Sequence, residues 1–209
     1  TMLNFGHNHN ELTKIYGEEN QIISGVRIHK VGEPYYSFYG YEYAGVDPNT
    51  GRESYYLNDG TSNARNTTVN PNEAKKVIIG NHETKIEGGF SNNITWKFID
   101  FGLNFTFSLG GKAFDAATWQ HNNGDYTFGG QLPTYYDINK MWTGTGDTNA
   151  SQPVFQYGNS SEVSSRWLMP TDYLRLKSLT LGFTAPSQWV TRIGLSKARA
   201  FFSASNLLT

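Results

Sequence analysis

The residue types that could carry out chemistry are sparse in this chain and do not form a recognisable catalytic set. His7 and His9 make a His-x-His pair that could ligate a metal ion, but no third ligand converges on them in sequence. Histidines on the surface of a strand, flanked by asparagines, are the simpler interpretation. Asp115, His121 and Asp125 are close in sequence, but closeness in a loop does not create a catalytic geometry.

Short catalytic motifs are also missing from the sequence. It contains no G-x-S-x-G nucleophile motif, no G-x-x-x-x-G-K-[ST] phosphate loop and no H-E-x-x-H zinc motif. We therefore expect no enzyme, no catalytic residue, no cofactor and no metal site.

The segment that begins at Asp47 resembles a calcium loop at first sight. An EF-hand loop needs glycine at its sixth position and an acid at its twelfth, and this chain has Arg52 and Asn58 at those positions. An Asp-Pro start and a glycine at position 51 are instead typical of a type I turn. We predict a turn here.

Tyrosine and tryptophan supply the best binding candidates. Most of residues 35–43, YYSFYGYEY, are aromatic, and a tyrosine cluster suits a wet binding surface because each ring is apolar with a polar tip. A strand half-covered on both faces by loops explains the same residues. Further aromatics in residues 110–166 could stack on a ligand or simply pin the loop to a rim. The candidates for contact with substrate or partner are Tyr35, Tyr36, Tyr39, Tyr41, Trp119 and Trp142. Tyr126, Tyr135 and Tyr136 lie in residues 110–166 with the two tryptophans.

The element that organises the chain is the two-faced stretch at residues 90–109, FSNNITWKFIDFGLNFTFSL. Apolar residues occupy even positions in its first half and odd positions in its second half, which is typical of a hairpin of two strands. If Ile99 and Asp100 form a two-residue loop, Trp96 lies opposite Leu103 and Phe98 opposite Phe101. Such a hairpin suits a soluble sandwich or a transmembrane barrel.

Composition bounds the class of protein. The chain has 209 residues, a net charge of −1, a pI near 6.5 and no cysteine, so nothing favours nucleic acid or disulfides. Aromatic residues make up 15% of it, which is typical of β-rich proteins. No run of 18 apolar residues occurs. The chain starts without a signal peptide, and both ends look cut.

The alternation along the rest of the chain predicts strands near 2–16, 90–98, 101–114, 173–184 and 198–207, with outer loops at 17–87 and 115–166. A weaker strand is predicted at residues 21–30. Tyr173, Arg175 and Lys177 share the parity of Leu179 and Leu181, so we expect them on the same outward row, beyond the lipid. A connection as long as 110–166 argues against a compact soluble domain.

Four segments, in order, resemble the C-terminal part of the barrel of SusC/RagA-type TonB-dependent outer-membrane transporters of Bacteroidetes. The third is the most specific, with a Trp, then Tyr-Leu-Arg-Leu-Lys, then Leu-Thr-Leu-Gly-Phe before a proline. Residues 58–76 and 116–163 match least. The segments are VGEPYYSFYGYEYAGVDPNTG, GGFSNNITWKFIDFGLNFTFSLGGKAFD, SSRWLMPTDYLRLKSLTLGFTAP and ARAFFSASNLLT (residues 31–51, 88–115, 164–186 and 198–209).

The resemblance implies an all-β fold: an antiparallel transmembrane β-barrel segment, about five strands of a roughly 22-stranded barrel, with long extracellular loops. It implies the cell outer membrane as location, import of large nutrients such as oligosaccharides or peptides, a SusD-like surface lipoprotein as lid, and energy from the TonB system through the missing N-terminal part. Outer-membrane lipid is a further expected partner and nucleic acid is not. The competing interpretation from the pattern is a soluble extracellular β-sandwich that binds glycan.

Overall fold

Strands make up most of the regular structure. The computed structural model describes residues 1–61, 64–121, 137–155 and 161–208. The fourteen strands and two short helices of the described residues are β1 (Met2–His7), β2 (Gln21–Ser24), β3 (Arg27–Lys30), β4 (Ser37–Gly40), β5 (Tyr43–Val46), β6 (Glu53–Tyr56), β7 (Thr67–Thr68), β8 (Val77–Asn81), β9 (Ile86–Trp96), β10 (Ile99–Leu109), β11 (Lys112–Phe114), α1 (Ala116–His121), β12 (Leu168–Pro170), β13 (Tyr173–Thr184), α2 (Ser187–Val190) and β14 (Arg199–Leu208).

The chain forms two compact units. The first, which we call the sheet unit, comprises Thr1–His9, Glu83–Gly111 and Pro170–Thr209. The second, which we call the insert unit, comprises Asn10–His82 and Lys112–Met169. Strands pair antiparallel in both units, so the expected all-β architecture with antiparallel sheets is confirmed.

The sheet unit is one antiparallel sheet with the strand order β1-β9-β10-β13-β14. Its central strands β9 and β10 have 11 residues each and β13 has 12. A strand of about ten residues, tilted, has the length that crosses the hydrocarbon core of a bilayer. These three strands are therefore long enough to do so.

The hairpin between β9 and β10 turns two residues earlier than the sequence predicted. Its loop is Lys97 and Phe98, with Ile99 opposite Trp96, so the predicted loop at Ile99 and Asp100 and the predicted pairing were wrong. Lys97 has a φ of 54°, the positive value that a tight hairpin turn requires at its first loop residue. A shift of two residues preserves parity, so the apolar residues still share one face.

A β-bulge in β13 corrects a second prediction. The pairing with β10 shifts between Asn104/Phe105, where Ser178 and Leu176 are consecutive partners and Lys177 is the extra residue. The extra residue reverses which face the earlier residues occupy. Tyr173 and Arg175 were predicted on the outward row, but their partners Ser108 and Thr106 lie on the polar face.

One face of this sheet carries an apolar row of side chains, interrupted at Asn92, which lies opposite Leu103. Residues paired across the strands share a face, and Leu3, Phe90 and Phe105 form one such line, as do Ile94, Phe101 and Leu181. The row is open: Leu3 is 64% exposed, Ile94 54% and Trp96 64%. An apolar surface of this extent on a soluble monomer would be unusual.

Both long segments of the chain leave the sheet at the same end. His7, the last residue of β1, lies opposite Ile86, where β9 begins, and Ile86 also faces Leu109, where β10 ends. Tyr173, the first residue of β13, lies opposite Ser108 at that end. At the other end the connections are the two-residue turn and residues 185–198.

Two strands end earlier than the sequence predicted. β1 was predicted to reach residue 16 but ends at His7. The predicted strand 101–114 is divided at Gly110, whose φ of 99° breaks the extended backbone, and Lys112–Phe114 forms the separate strand β11.

The insert unit contains short strands in segments that were predicted as outer loops. Strands β2, β3, β4 and β8 form one sheet, β5, β6 and β7 a second, and β11 pairs with β12. The predicted strand at 21–30 is a hairpin that turns at Gly25, where φ is 58°. Strands of two to five residues are too short for alternation to show in sequence. Among the described residues of this unit, the buried apolar side chains include Ile28, Phe38, Tyr55, Ala74, Ile79, Pro153 and Trp167.

In the part of the chain that the structure describes, neither helix has the length or apolar character needed to span a membrane.

Candidate functional site

A buried ion pair joins β6 to the segment that leads into β12. Arg166 donates through one guanidinium nitrogen to Oε1 of Glu53, and these side chains are 9% and 6% exposed. A second guanidinium nitrogen donates to Gln152 at 2.5 Å. Oε2 of Glu53 accepts hydrogen bonds from the hydroxyls of Tyr55 and Ser161, each at 2.7 Å. Both carboxylate oxygens are thus satisfied, the condition under which a buried ion pair is tolerated.

Aromatic rings pack around this buried pair. The guanidinium carbon of Arg166 lies 4.4 Å from the ring centroid of Trp167, whose Nε1 donates to Ser161 at 3.1 Å. The rings of Tyr41 and Tyr55 lie 5.2 Å apart. Burial raises the pKa of Tyr55, and the charge of Glu53 raises it further, so the phenol stays a donor. We call these residues the anchor cluster.

A second group of aromatic rings lies at the surface of the insert unit. His29 and Tyr35 have ring centroids 4.6 Å apart, Tyr35 and Tyr36 are also 4.6 Å apart, and Tyr36 and His82 are 4.9 Å apart. The guanidinium carbon of Arg27 lies 5.0 Å from the centroid of Tyr36. Tyr35 is 45% exposed. We call these residues the surface aromatic cluster.

A groove of about 550 Å³ opens beside Tyr36. Its apolar lining includes Phe38 and Phe114, whose ring centroids lie 6.5 Å apart. Arg27 and Lys112 bring two cations to the lining, and no aspartate or glutamate is among the described residues that line it. The volume is within the range of small-ligand sites, and the charge is positive.

The six predicted contact residues do not converge on one place. Tyr35 and Tyr36 belong to the surface aromatic cluster, and Tyr36 also lines the groove. Tyr41 packs on Tyr55 in the anchor cluster, with the amine of Lys76 5.1 Å from its ring centroid. Tyr39 is half-buried. Contact with substrate or partner stays a prediction for all six.

The two tryptophans among these candidates tie loops to backbone. Nε1 of Trp119 donates to the carbonyl of Ser161 at 3.0 Å, and Nε1 of Trp142 donates to the carbonyl of Pro48 at 2.9 Å. A Cβ on Gly51 would lie 2.6 Å from the ring of Trp142. Through these contacts each tryptophan fixes its own loop to the backbone of another segment, which is the second of the two roles considered for the loop aromatics.

A turn is present at Asp47 as predicted, and its closing hydrogen bond spans five residues rather than the four of a type I turn. Oδ1 of Asp47 accepts from the backbone amides of Asn49 at 2.6 Å and Thr50 at 3.2 Å, and its carbonyl accepts from Gly51 at 2.9 Å. Gly51 has a φ of 69°, which favours glycine. The carboxylate is therefore engaged with its own loop.

Other residues singled out from the sequence have local partners. Nδ1 of His7 lies 2.7 Å from the carbonyl of Lys85. Asp115 caps α1 by accepting from the backbone amide of Thr118 at 2.9 Å, and hydrogen bonds from Thr118 hold the pKa of Asp115 below its ordinary value. Within the described ranges, no three His, Asp or Glu residues are grouped to bind a metal. Asp125, Tyr126, Tyr135 and Tyr136 lie outside the described residues.

Sequence reasoning missed the charged part of the groove. Arg27 begins β3, His82 follows β8 and Lys112 begins β11. β4 lies between β3 and β8 in one sheet and so brings the first two of these segments together. No spacing or motif links them in the sequence. Only the pairing of short strands brings them together.

Gly40, in β4, lies close to the backbone of Val163, and it carries our first prediction. A Cβ there would overlap the carbonyl oxygen of Val163. Gly40→Ala should therefore force the backbone apart and destabilise the insert unit by about 1–3 kcal/mol. Limited proteolysis of the intact protein measures this as faster cleavage within residues 35–57. Gly144→Ala is the control because a Cβ at Gly144 meets nothing within 4 Å; equal cleavage of the two variants would contradict the prediction.

Comparison with curated proteins gives relatives that match all or nearly all of the chain. No family model matches it. It is 26% identical over 234 residues to TonB-dependent receptor P3 of Formosa agariphila, covering 100% of this chain and 22% of the relative. It is 23% identical over 241 residues to TonB-dependent receptor P39 of the same organism, covering 93% and 23%. The chain thus spans less than a quarter of the length of these relatives.

Solved structures give the same result. The structure of the RagAB peptide transporter aligns with a TM-score of 0.75 and 26% identity over 99% of this chain and 23% of the other. The RagAB peptide importer in its closed-closed state aligns with a TM-score of 0.76 and 27% identity. The predicted resemblance to SusC/RagA-type transporters and the predicted outer-membrane location are confirmed.

Proposed function

We infer that this chain, a segment of a SusC/RagA-type TonB-dependent receptor of the outer membrane, forms part of the wall and outer loops of a nutrient transporter. The observation that carries the inference is the open apolar row of the sheet unit, which acyl chains would cover. The five strands would belong to a barrel of roughly 22. The insert unit would then be built from extracellular connections, since such barrels have long outer loops and short periplasmic turns.

The transported nutrient is a peptide or an oligosaccharide in this proposal. Peptide transport is the activity named for the solved neighbour RagAB. The surface aromatic cluster suits either class, because tyrosine rings stack on sugar faces and pack on apolar side chains while their hydroxyls stay wet.

Two partners complete the proposal. A SusD-like lipoprotein would cover the outer mouth, and exposed tyrosines such as Tyr35 are residues of the kind that anchor protein interfaces. The TonB system would supply energy through parts of the receptor outside this chain. No catalytic role is proposed for the chain, and the relatives are named as receptors and transporters.

The alternative function, a soluble glycan-binding sandwich, has less support. A sandwich buries the inner faces of two sheets against each other. Leu3, Ile94 and Trp96 would be inner-face residues in that fold, and each is more than half exposed.

The contact role of the surface aromatic cluster is tested in the intact receptor. Tyr35→Ala combined with Tyr36→Ala should weaken lid association, nutrient uptake or both by roughly tenfold, because truncating a tyrosine that anchors an interface costs more than about 1 kcal/mol. Uptake of labelled peptide and maltooligosaccharide mixtures is measured in cells, and lid association by co-purification of lipoprotein with the tagged receptor. Tyr16→Ala is the matched control, since Tyr16 is fully exposed in the same unit. Unchanged uptake and unchanged association in the double variant would rule the assignment out.

A further inference from the structure

The two cations of the groove are available to a ligand. The guanidinium of Arg27 makes no ion pair with any described residue and lies over the ring of Tyr36. Lys112 likewise makes no ion pair within the described ranges, and its amine donates one hydrogen bond, to the carbonyl of Ile79 at 3.4 Å. Both side chains are exposed, so a ligand in solution can reach them.

The remainder of the groove fits an apolar or planar group attached to a charge. Phe38 and Phe114 supply aromatic carbon, and the rings of Tyr36 and His82 meet edge to face at 4.9 Å. An aromatic wall beside unpaired cations favours a ligand that carries a carboxylate next to an apolar side chain or a sugar ring. A neutral ligand would leave the cations without a partner.

We propose that this groove is an anion subsite that binds a carboxylate of the transported nutrient through Arg27 and Lys112. The source of the carboxylate is an acidic peptide or an acidic oligosaccharide, which share this chemistry. Arg27 would donate two parallel N–H bonds to the carboxylate, and Lys112 would act as a point charge. The proposal rests on the transport function above, because it names the class of nutrient that the same receptor selects.

Binding to the purified intact receptor in detergent tests the subsite. The acidic probes are the tripeptide Ala-Phe-Glu and trigalacturonate, and their neutral counterparts are Ala-Phe-Gln amide and maltotriose. Isothermal titration calorimetry should show at least one acidic probe binding roughly tenfold or more tightly than its counterpart, since a charge-assisted hydrogen bond contributes that much. The acidic probe that binds identifies the source. Failure of both acidic probes to exceed their counterparts overturns the proposal without any variant.

Variants locate the subsite. Arg27→Met with Lys112→Met keeps the aliphatic stems and removes both charges, so affinity for the acidic probe should fall roughly a hundredfold, about tenfold for each cation. Lys30→Met removes an exposed cation from the same strand as Arg27, outside the groove lining, and should change affinity less than twofold. Undiminished affinity in the double variant overturns the proposal. Single variants replace the double one if it does not fold.

The outcome is separable from that of the transport proposal. Calorimetry on the purified receptor needs neither TonB nor a lid. If the double variant loses affinity for the acidic probe but takes up neutral nutrient normally, both the subsite and the transport function are supported. An acid preference in a receptor that transports nothing would overturn the transport function alone.

Discussion

Arg166→Leu is expected to destabilise the insert unit by about 3–5 kcal/mol, because it leaves the carboxylate of Glu53 buried without its countercharge. The loss also removes the cation from the face of Trp167 and one partner of Gln152. Amide hydrogen exchange of the intact receptor measures the effect. Exchange in a peptide that covers β6 should accelerate by roughly two to three powers of ten, since each 1.4 kcal/mol is about a factor of ten.

A matched control exists in the exposed ion pair of the same unit. Arg65 and Glu42 lie 2.7 Å apart with side chains 66% and 34% exposed. The hydrogen bond from Arg65 holds the pKa of Glu42 below its ordinary value, but solvent screens this pair. Arg65→Leu should therefore accelerate exchange far less than Arg166→Leu does. Equal acceleration of exchange in the Arg65 and Arg166 variants would contradict the role given to the buried pair.

A second variant separates the buried charge from the lost packing. Adding Glu53→Gln to Arg166→Leu removes the unpaired carboxylate and should recover part of the stability. Recovery should be incomplete because the contact with Trp167 stays lost. If the double variant exchanges faster than Arg166→Leu alone, the uncompensated charge was not the main cost.

The faces of the hairpin were predictable from sequence and its register was not. Parity is set by the alternation of Ile94, Trp96, Phe101 and Leu103, and any turn shifted by two residues preserves it. Neither Ile-Asp nor Lys-Phe carries the Asn-Gly or Asp-Gly signature that fixes a tight turn. The register is instead seen in the pairing of β9 with β10 along their whole length, from Trp96 back to Ile86.

The bulge at Lys177 shows a different limit. Strict alternation put Arg175 on the outward row, and one extra residue moved it to the polar face, opposite Thr106. The same shift brings Leu174 and Leu176 onto the apolar row, opposite Phe107 and Phe105. In the sequence, the leucines change from even positions, Leu174 and Leu176, to odd positions, Leu179 and Leu181. A prediction that assumes strict alternation along one strand does not allow for this change.

The groove was beyond sequence reasoning because it is assembled from short strands and loops. Tyr36 was a candidate by its type, but Arg27 and Lys112 were ordinary exposed cations until the structure placed them around one cavity. The tryptophans were candidates for the same reason, and their indole N–H groups donate to backbone carbonyls. Residue type alone does not distinguish a contact residue from a loop anchor.

Leu179→Arg is expected to lower the stability of the membrane-embedded receptor by about 2–4 kcal/mol. Leu179 lies in the middle of the apolar row, between Leu103 on β10 and Ala204 on β14, so an arginine there would lie in hydrocarbon. The neighbouring variant Thr180→Arg puts the same charge on the opposite face, beside Gly102 and Ser203, where a water-filled lumen would solvate it.

The measurement is the fraction of receptor that reaches the folded, heat-modifiable form in outer membranes, followed by its resistance to urea after extraction. Because the two positions are adjacent on β13, chain position and strand propensity are matched, and only the face differs. A lower folded fraction for Leu179→Arg than for Thr180→Arg supports lipid contact of the apolar row. Equal folded fractions, or a larger loss for Thr180→Arg, would mean that this row does not face the membrane, and the barrel proposal would fail with it.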